Sequence, residues 1–244
     1  MKNIWKIDFS TYIFILLLLL SGLIKDLIAV SIIILVHELG HIFFFKLFKY
    51  KINKITIYPF GGIILVSKKI HERIYKEILS SSGGILFQLI LLLIINCLYK
   101  DGYISNYFYT LFITYNKYIL FFNIIPLIPL DGSKILLSIF TMFFSYRTSY
   151  VLMIISGIIS YIVFLLYNYL NHSYDLVIYV FLFINLVVVL KNYKYIMNNF
   201  YLERIMYDHY YNKIIYLDKF KHFRVDKYYY VGGKCEKNYL INRY

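Results

Sequence analysis

Proline is nearly missing from this chain of 244 residues: there are three, at positions 59, 126 and 129, alongside only two cysteines and one tryptophan. With so few helix breakers, 61% hydrophobic residues and a mean hydropathy of +0.65, a soluble globular class is excluded and a polytopic membrane protein is expected. Cys97 and Cys235 are too few and too far apart in sequence for a disulfide framework or a cysteine-based metal site. Acidic residues are scarce as well, 13 against 26 Lys and Arg, which sets the net charge at +13. In a membrane protein that excess reads first as topology and as attraction to anionic lipid headgroups, so no nucleic-acid partner is required.

What is present is long apolar sequence. It predicts an all-α polytopic fold of about six transmembrane helices, near 9–24, 27–48, 78–98, 107–144, 149–170 and 175–191. Each approaches the ~20 residues needed to cross a bilayer, except the fourth, which is too long for one uninterrupted helix. Lys2 and Lys6 ahead of Tyr12 to Leu20 resemble the start of a signal peptide, but no small-x-small cleavage site follows, so the first segment is read as a retained helix. Lys46, Lys49, Lys51, Lys54, Lys68, Lys69, Arg73 and Lys76 lie between the second and third spans, and a second basic group fills Lys191 to Arg243. Placing both groups on the cytoplasmic side satisfies the positive-inside rule and puts both termini there. The expected organisation is an intramembrane domain over residues 1–191, with core spans at about 27–144, and a short basic cytoplasmic tail over 192–244. Ile57 to Leu65, interrupted by Pro59 and Gly61-Gly62, predicts a short membrane-associated β-hairpin after the second span. In the tail, Phe220 to Val231 suggests a strand and Val231-Gly232-Gly233 a turn.

Inside the second span stands His37-Glu38-Leu39-Gly40-His41, an HExxH pattern in a stretch from Leu27 to Phe48 otherwise interrupted only by Ser31 and Lys46. Ionisable groups at membrane depth cost at least ~2.5–3.5 kcal/mol each on insertion scales and are retained for function. On a helix, His37 and His41 are one turn apart on one face, so both imidazoles can reach one zinc ion while Glu38 reaches the water beside it. Two histidines leave a catalytic zinc one protein ligand short. Asp131 is the candidate, because it is an acid flanked by apolar sequence in Phe121 to Gly132. Pro126 and Pro129 each remove a backbone donor, so the long fourth segment should unwind here, and broken helices at membrane depth face protein or a water-filled cavity. The bland reading of the same segment is a loop between two short helices, with ordinary proline and Asp-Gly turn chemistry. His71, His172, His209 and His222 have no ligand-spaced partner and read as solvated side chains; Lys134 reads as snorkelling toward the interface.

An apolar helix carrying His-Glu-Leu-Gly-His, followed about ninety residues later by Asn-x-x-Pro-x-x-Pro-Leu-Asp-Gly (Asn123 to Gly132), resembles the site-2 protease family of intramembrane zinc metalloproteases, peptidase family M50. Tyr58-Pro59-Phe60-Gly61-Gly62 and Ser82-Gly83-Gly84 fall where that family has a glycine-containing hairpin and a small-residue turn entering the third core helix. The compact layout is most similar to the stage IV sporulation branch. The match covers roughly residues 10 to 200. It departs from the family pattern at Gly132-Ser133, usually Gly-Gly, and at Gly83-Gly84, usually Gly-Pro. About fifty residues follow Lys191, fewer than the nucleotide-sensing module of the sporulation branch needs.

The resemblance implies one Zn2+ held by His37, His41 and Asp131, with Glu38 as general base. Asn123 would orient the substrate backbone or the oxyanion, with a helix-end amide cap as the equal alternative. Phe60, Gly61 and Gly62 would lie along substrate that adds to the hairpin as a strand. It also implies a membrane-tethered protein substrate, a sigma-factor precursor in the sporulation branch, together with inhibitory or activating membrane partners and a bacterial cell membrane as the location. Two other classes compete. An inactive family member would act as a membrane binding or regulatory protein, and a metal transporter would show internal repeats and acids on several helices, neither of which is seen. The tail suits substrate docking, contact with the membrane surface, or a remnant of the sensing module.

Overall fold

The computed structural model describes residues 5–58, 61–67, 73–170, 176–207, 211, 213–218 and 223–241. Among them are eight helices and six strands, divided between two compact units, Met1–Lys68 with Leu79–Asn123 and Lys69–Ile78 with Ile124–Tyr244. Phe60 and the four histidines read as solvated lie outside the described residues.

In the first unit, α1 (Phe9–Leu20) and α2 (Ile24–Leu47) precede strands β2 (Lys51–Tyr58) and β3 (Gly61–Ser67). The Asp8 side chain caps α1 by accepting from the Ser10 N–H at 3.1 Å, and hydrogen bonding from the Ser10 hydroxyl is the main influence holding the Asp8 carboxyl below its usual pKa. At the end of α2, Lys49 adopts φ 59° and the Tyr50 N–H reaches back to the Phe45 carbonyl at 2.8 Å, a tight turn from helix into strand. β2 and β3 pair antiparallel from Lys51 opposite Ser67 to Tyr58 opposite Gly61, so the expected hairpin is present and begins six residues before Ile57. A third strand, β1 (Trp5–Ile7), lies parallel against the far edge of β2, leaving β3 as an edge strand in the order β1-β2-β3.

The buried face of α2 carries Ala29, Ile33, His37, Gly40 and His41. The spacing of four places these on one stripe, while Leu35, Leu39, Phe43 and Leu47 are exposed on the opposite side, the pattern of a helix that faces lipid with its apolar side chains. Residues 79–100 of α3 (Ile74–Lys100) and 106–123 of α4 (Asn106–Ile124) complete this unit, with Ala29, Ile33, Ile95, Leu111 and Phe112 forming its core. The Tyr115 hydroxyl donates to Asp26 Oδ1 at 2.7 Å, tying α4 to the start of α2.

The second unit contains α5 (Asp131–Phe143), α6 (Tyr146–Leu170) and α7 (Leu176–Met206), followed by β4 (Lys213–Leu217), β5 (Lys227–Val231), β6 (Lys234–Cys235) and α8 (Glu236–Ile241). The expected tail strand therefore starts at Lys227, and Gly232-Gly233 turn the chain into β6 with φ of 54° and 75°. α7 does not stop where the apolar run ends near residue 191. Beyond it, Met197, Phe200, Tyr201 and Arg204 form a new buried stripe against Phe223, Tyr229 and Leu240, so tertiary packing replaces lipid as the partner of the helix.

By length and composition, four helices among the described residues can cross a bilayer: α2, α3, α6 and α7 from Ile178. α1, with 12 residues, is about 18 Å long, well short of the ~30 Å hydrocarbon core. The long fourth segment is broken as its prolines require, into α4, an irregular stretch over 125–130, and α5. The chain is a polytopic helical membrane protein with small sheets.

Candidate metal centre

His37 and His41 are one helical turn apart on the buried stripe of α2, and their rings meet edge to face with centroids 4.8 Å apart. Their Nε2 atoms are 3.1 Å apart. Two ligand nitrogens ~2.0–2.1 Å from a tetrahedral zinc ion stand about 3.3 Å from each other, so this pair already spans one edge of that tetrahedron. The donor chemistry fits zinc.

Each ring is oriented through its other nitrogen by α3. His41 Nδ1 donates to the Ser80 carbonyl at 2.7 Å, and a carbonyl only accepts, so the Nε2 of His41 carries a lone pair. His37 Nδ1 is 3.0 Å from Gln88 Oε1, Gln88 Nε2 donates to Asn116 Oδ1 at 3.1 Å, and Asn116 Nδ2 donates to the Gln88 carbonyl at 3.2 Å. Ser80, Gly84 and Gln88, spaced by four, place these contacts on one face of α3. The helices approach this closely because both lack side chains at the crossing: a β-carbon on Gly83 would lie 2.6 Å from the Gly40 carbonyl oxygen, and one on Gly84 would fall on the His37 ring. At the position where the family pattern has proline, glycine lets the ring lie against the α3 backbone.

Glu38, half-buried, accepts from the Gly62 N–H through Oε1 at 2.7 Å. A β-carbon on Gly62 would lie 2.9 Å from the Glu38 carboxyl carbon, and Gly61, with φ of 151°, opens the strand in a conformation that favours glycine. Of the hairpin positions expected near substrate, Gly61 and Gly62 thus stand at the carboxylate.

Asp131 is described within its own unit. It is the first residue of α5, 4% exposed, at a helix N-terminus that favours a carboxylate. Lys134 Nζ donates to its Oδ1 at 2.9 Å, so Lys134 pairs with Asp131 rather than only reaching for the interface. A β-carbon at Gly132 would collide with the carbonyls of Ile124 and Ile125, which explains glycine there. The Ser133 hydroxyl donates to the Leu130 carbonyl at 2.7 Å, so the departure from Gly-Gly closes the first turn of α5.

Asn123 is half-buried in the last turn of α4 and makes no side-chain hydrogen bond among the described residues. The buried amide of α4 is Asn116, two turns earlier. Sequence reading missed Ser80, Gln88 and Asn116. Gln88 carried a signal, since it is the single polar side chain between Ile85 and Ile95, where polar groups at membrane depth are usually retained for function.

Residues 26–102 match the family model described as Peptidase family M50. The chain is 33% identical over 123 residues to stage IV sporulation protein FB of Bacillus subtilis, covering 50% of this chain and 43% of that protein. It is 34% identical over 127 residues to a zinc metalloprotease of Methanocaldococcus jannaschii, covering 50% of this chain and 36% of that protein. The chain thus spans less than half the length of these two relatives. Among solved structures, the site-2 protease from Methanocaldococcus jannaschii superposes with a TM-score of 0.54 at 22% identity, over 75% of this chain and 88% of that one, a likeness of fold.

Proposed function

Because the chain belongs to the site-2 protease family, peptidase family M50, we propose that it is an intramembrane zinc metalloendopeptidase that cuts a membrane-tethered protein. Cleavage falls in or near the transmembrane segment of the substrate, on the cytoplasmic side. The carrying observation is the buried pair of Nε2 atoms 3.1 Å apart on α2, with Glu38 beside them. The cytoplasmic assignment rests on the basic residues from Lys46 to Lys54 at the nearer end of α2 and on the positive-inside rule.

His37 and His41 would hold the ion with Asp131 as third protein ligand. When bound, zinc would supply Lewis acidity that lowers the pKa of water toward ~7 and polarises the scissile carbonyl. The Gly62 N–H fixes one oxygen of Glu38, which accepts the proton of the attacking water and delivers it to the leaving amine. β3 is an edge strand whose first residues stand at Glu38, so an extended substrate adds to it with its peptide bond presented to that carboxylate. Strand addition also removes the helical hydrogen bonding that would shield a transmembrane substrate. Asn123 would orient the substrate backbone or stabilise the oxyanion.

The similarity to a stage IV sporulation protein supports a role in sporulation, with an inactive sigma-factor precursor as substrate and membrane partners that restrain the protease. Residues 1–191 form the protease domain and 192–244 the basic tail, with both termini cytoplasmic in a bacterial cell membrane. Co-expression with tethered precursors tests this reading. The wild type should release the soluble product and Glu38→Gln should not, whereas release that survives Glu38→Gln, or purified wild type without zinc, overturns it.

A further inference from the structure

We infer that Gln88 and Asn116 are positioning residues for His37, transmitting the one-way hydrogen-bonding preference of a backbone carbonyl to the nitrogen that faces the metal. This rests on the zinc-peptidase reading and assigns two residues that the HExxH pattern does not contain. The starting point is the Gln88 carbonyl, which can only accept, so the Asn116 amide must turn its Nδ2 toward it at 3.2 Å. Asn116 Oδ1 then faces Gln88 and requires a donor, which fixes Gln88 Nε2 there at 3.1 Å. Gln88 Oε1 is left to face His37 at 3.0 Å, so the ring donates from Nδ1, and the Nε2 atoms of His37 and His41, 3.1 Å apart, then face each other as acceptors, an arrangement that a cation bound between them satisfies. Reversing either amide sets two acceptors or two donors against each other.

Burial makes the relay effective. Gln88 is 0% exposed, Asn116 1% and His37 5%, so water cannot readily substitute for a mismatched partner. The Gly40–Gly83 crossing brings the α3 backbone against α2, and Gly84 lets the His37 ring lie flush on α3, leaving Gln88 one turn further along to reach Nδ1. Many metal-binding histidines are oriented by a carboxylate. A neutral amide sets the same tautomer without adding negative charge to a membrane-buried site. His41 is set separately by the Ser80 carbonyl, so the effects of Gln88 and Asn116 act through His37.

The test uses the full chain in detergent, with zinc affinity measured by chelator competition and the absorption bands of bound cobalt(II) reporting tetrahedral coordination. Gln88→Met should lose roughly 10–100-fold in zinc affinity, and Gln88→Glu, which keeps an acceptor for His37, should lose less. Asn116→Leu should lose several-fold alone and nothing further in the Gln88→Met background, because it acts through Gln88. Gln88→Met with wild-type affinity, or a double variant whose losses simply multiply, overturns the relay. A second measurement needs no core variant: nitrogen-15 shifts of zinc-loaded wild type, with the His37 signal identified by its loss in His37→Ala, should show hydrogen on Nδ1 and metal on Nε2, and the reverse assignment overturns the inference. Wild type that binds no zinc, or His37→Ala that binds it unchanged, sinks the ligand reading itself, a different result from a wild-type-like Gln88→Met.

Discussion

The backbone N–H of Gly62 holds Glu38 Oε1 at 2.7 Å, and the carboxyl carbon of Glu38 stands 2.9 Å from where a β-carbon on Gly62 would be. The proposed general base and the start of an edge strand are thus built around one another. Glu38 lies beside the histidines on α2, so under the proposed function a chain that pairs with β3 would be presented to the carboxylate assigned to proton transfer.

Gly62→Ala should therefore damage turnover rather than folding, because the flexible carboxylate yields more easily than the strand. A fall of about 10–100-fold in the rate of precursor cleavage is expected, with zinc content unchanged. Single-turnover assays paired with metal analysis check this, and wild-type turnover would mean the Gly62 contact does not position Glu38.

Gly84→Ala places a methyl group on the His37 ring and acts on the metal instead. Overpacking should cost about 1–3 kcal/mol of stability, and displacement of the ring should weaken zinc binding about tenfold or more. Thermal unfolding with and without zinc separates the two effects: the metal-dependent part of the stabilisation should shrink.

In the tail, Arg204 and Glu236 form a buried ion pair, with Arg204 also donating to the Arg224 carbonyl at 2.8 Å and lying 5.0–6.0 Å from the rings of Phe200, Tyr211, Phe223 and Tyr229. Removing one charge strands the other. Glu236→Leu should destabilise the tail by roughly 3–5 kcal/mol, whereas Arg204→Met combined with Glu236→Leu should cost less than either change alone. Limited proteolysis of 207–241 in membranes reads the difference.

Chelation should abolish cleavage by the wild type, and one equivalent of zinc should restore it. Glu38→Gln should retain the ion while losing about 10²–10⁴-fold in rate, because it keeps the ligands and loses the proton carrier. Glu38→Gln protein that no longer binds zinc would move that residue from proton transfer to metal binding.

Much of the candidate centre is legible before folding is considered. His37 and His41 share a face because they are four residues apart on a helix, and apolar neighbours on both sides require that helix to lie in lipid. The break before Asp131 follows from Pro126 and Pro129, and the hairpin from β-branched residues around two glycines. Other features depended on partners remote in sequence. The extension of α7 to Met206 required Phe223, Tyr229 and Leu240 to cover its second stripe, and the strand added at Trp5–Ile7 required the far edge of β2.

The sequence by itself determined that two imidazoles and a carboxylate occupy neighbouring positions on a membrane helix, because helical periodicity is a local property of the chain. Only the tertiary structure decided how those groups are aimed. Ser80, Gln88 and Asn116 orient the rings, and Gly62 orients Glu38, through hydrogen bonds across 24 to 51 residues. The contacts of the two rings with α3 depend on a helix crossing close enough to exclude a single β-carbon. No spacing rule within one segment carries that information.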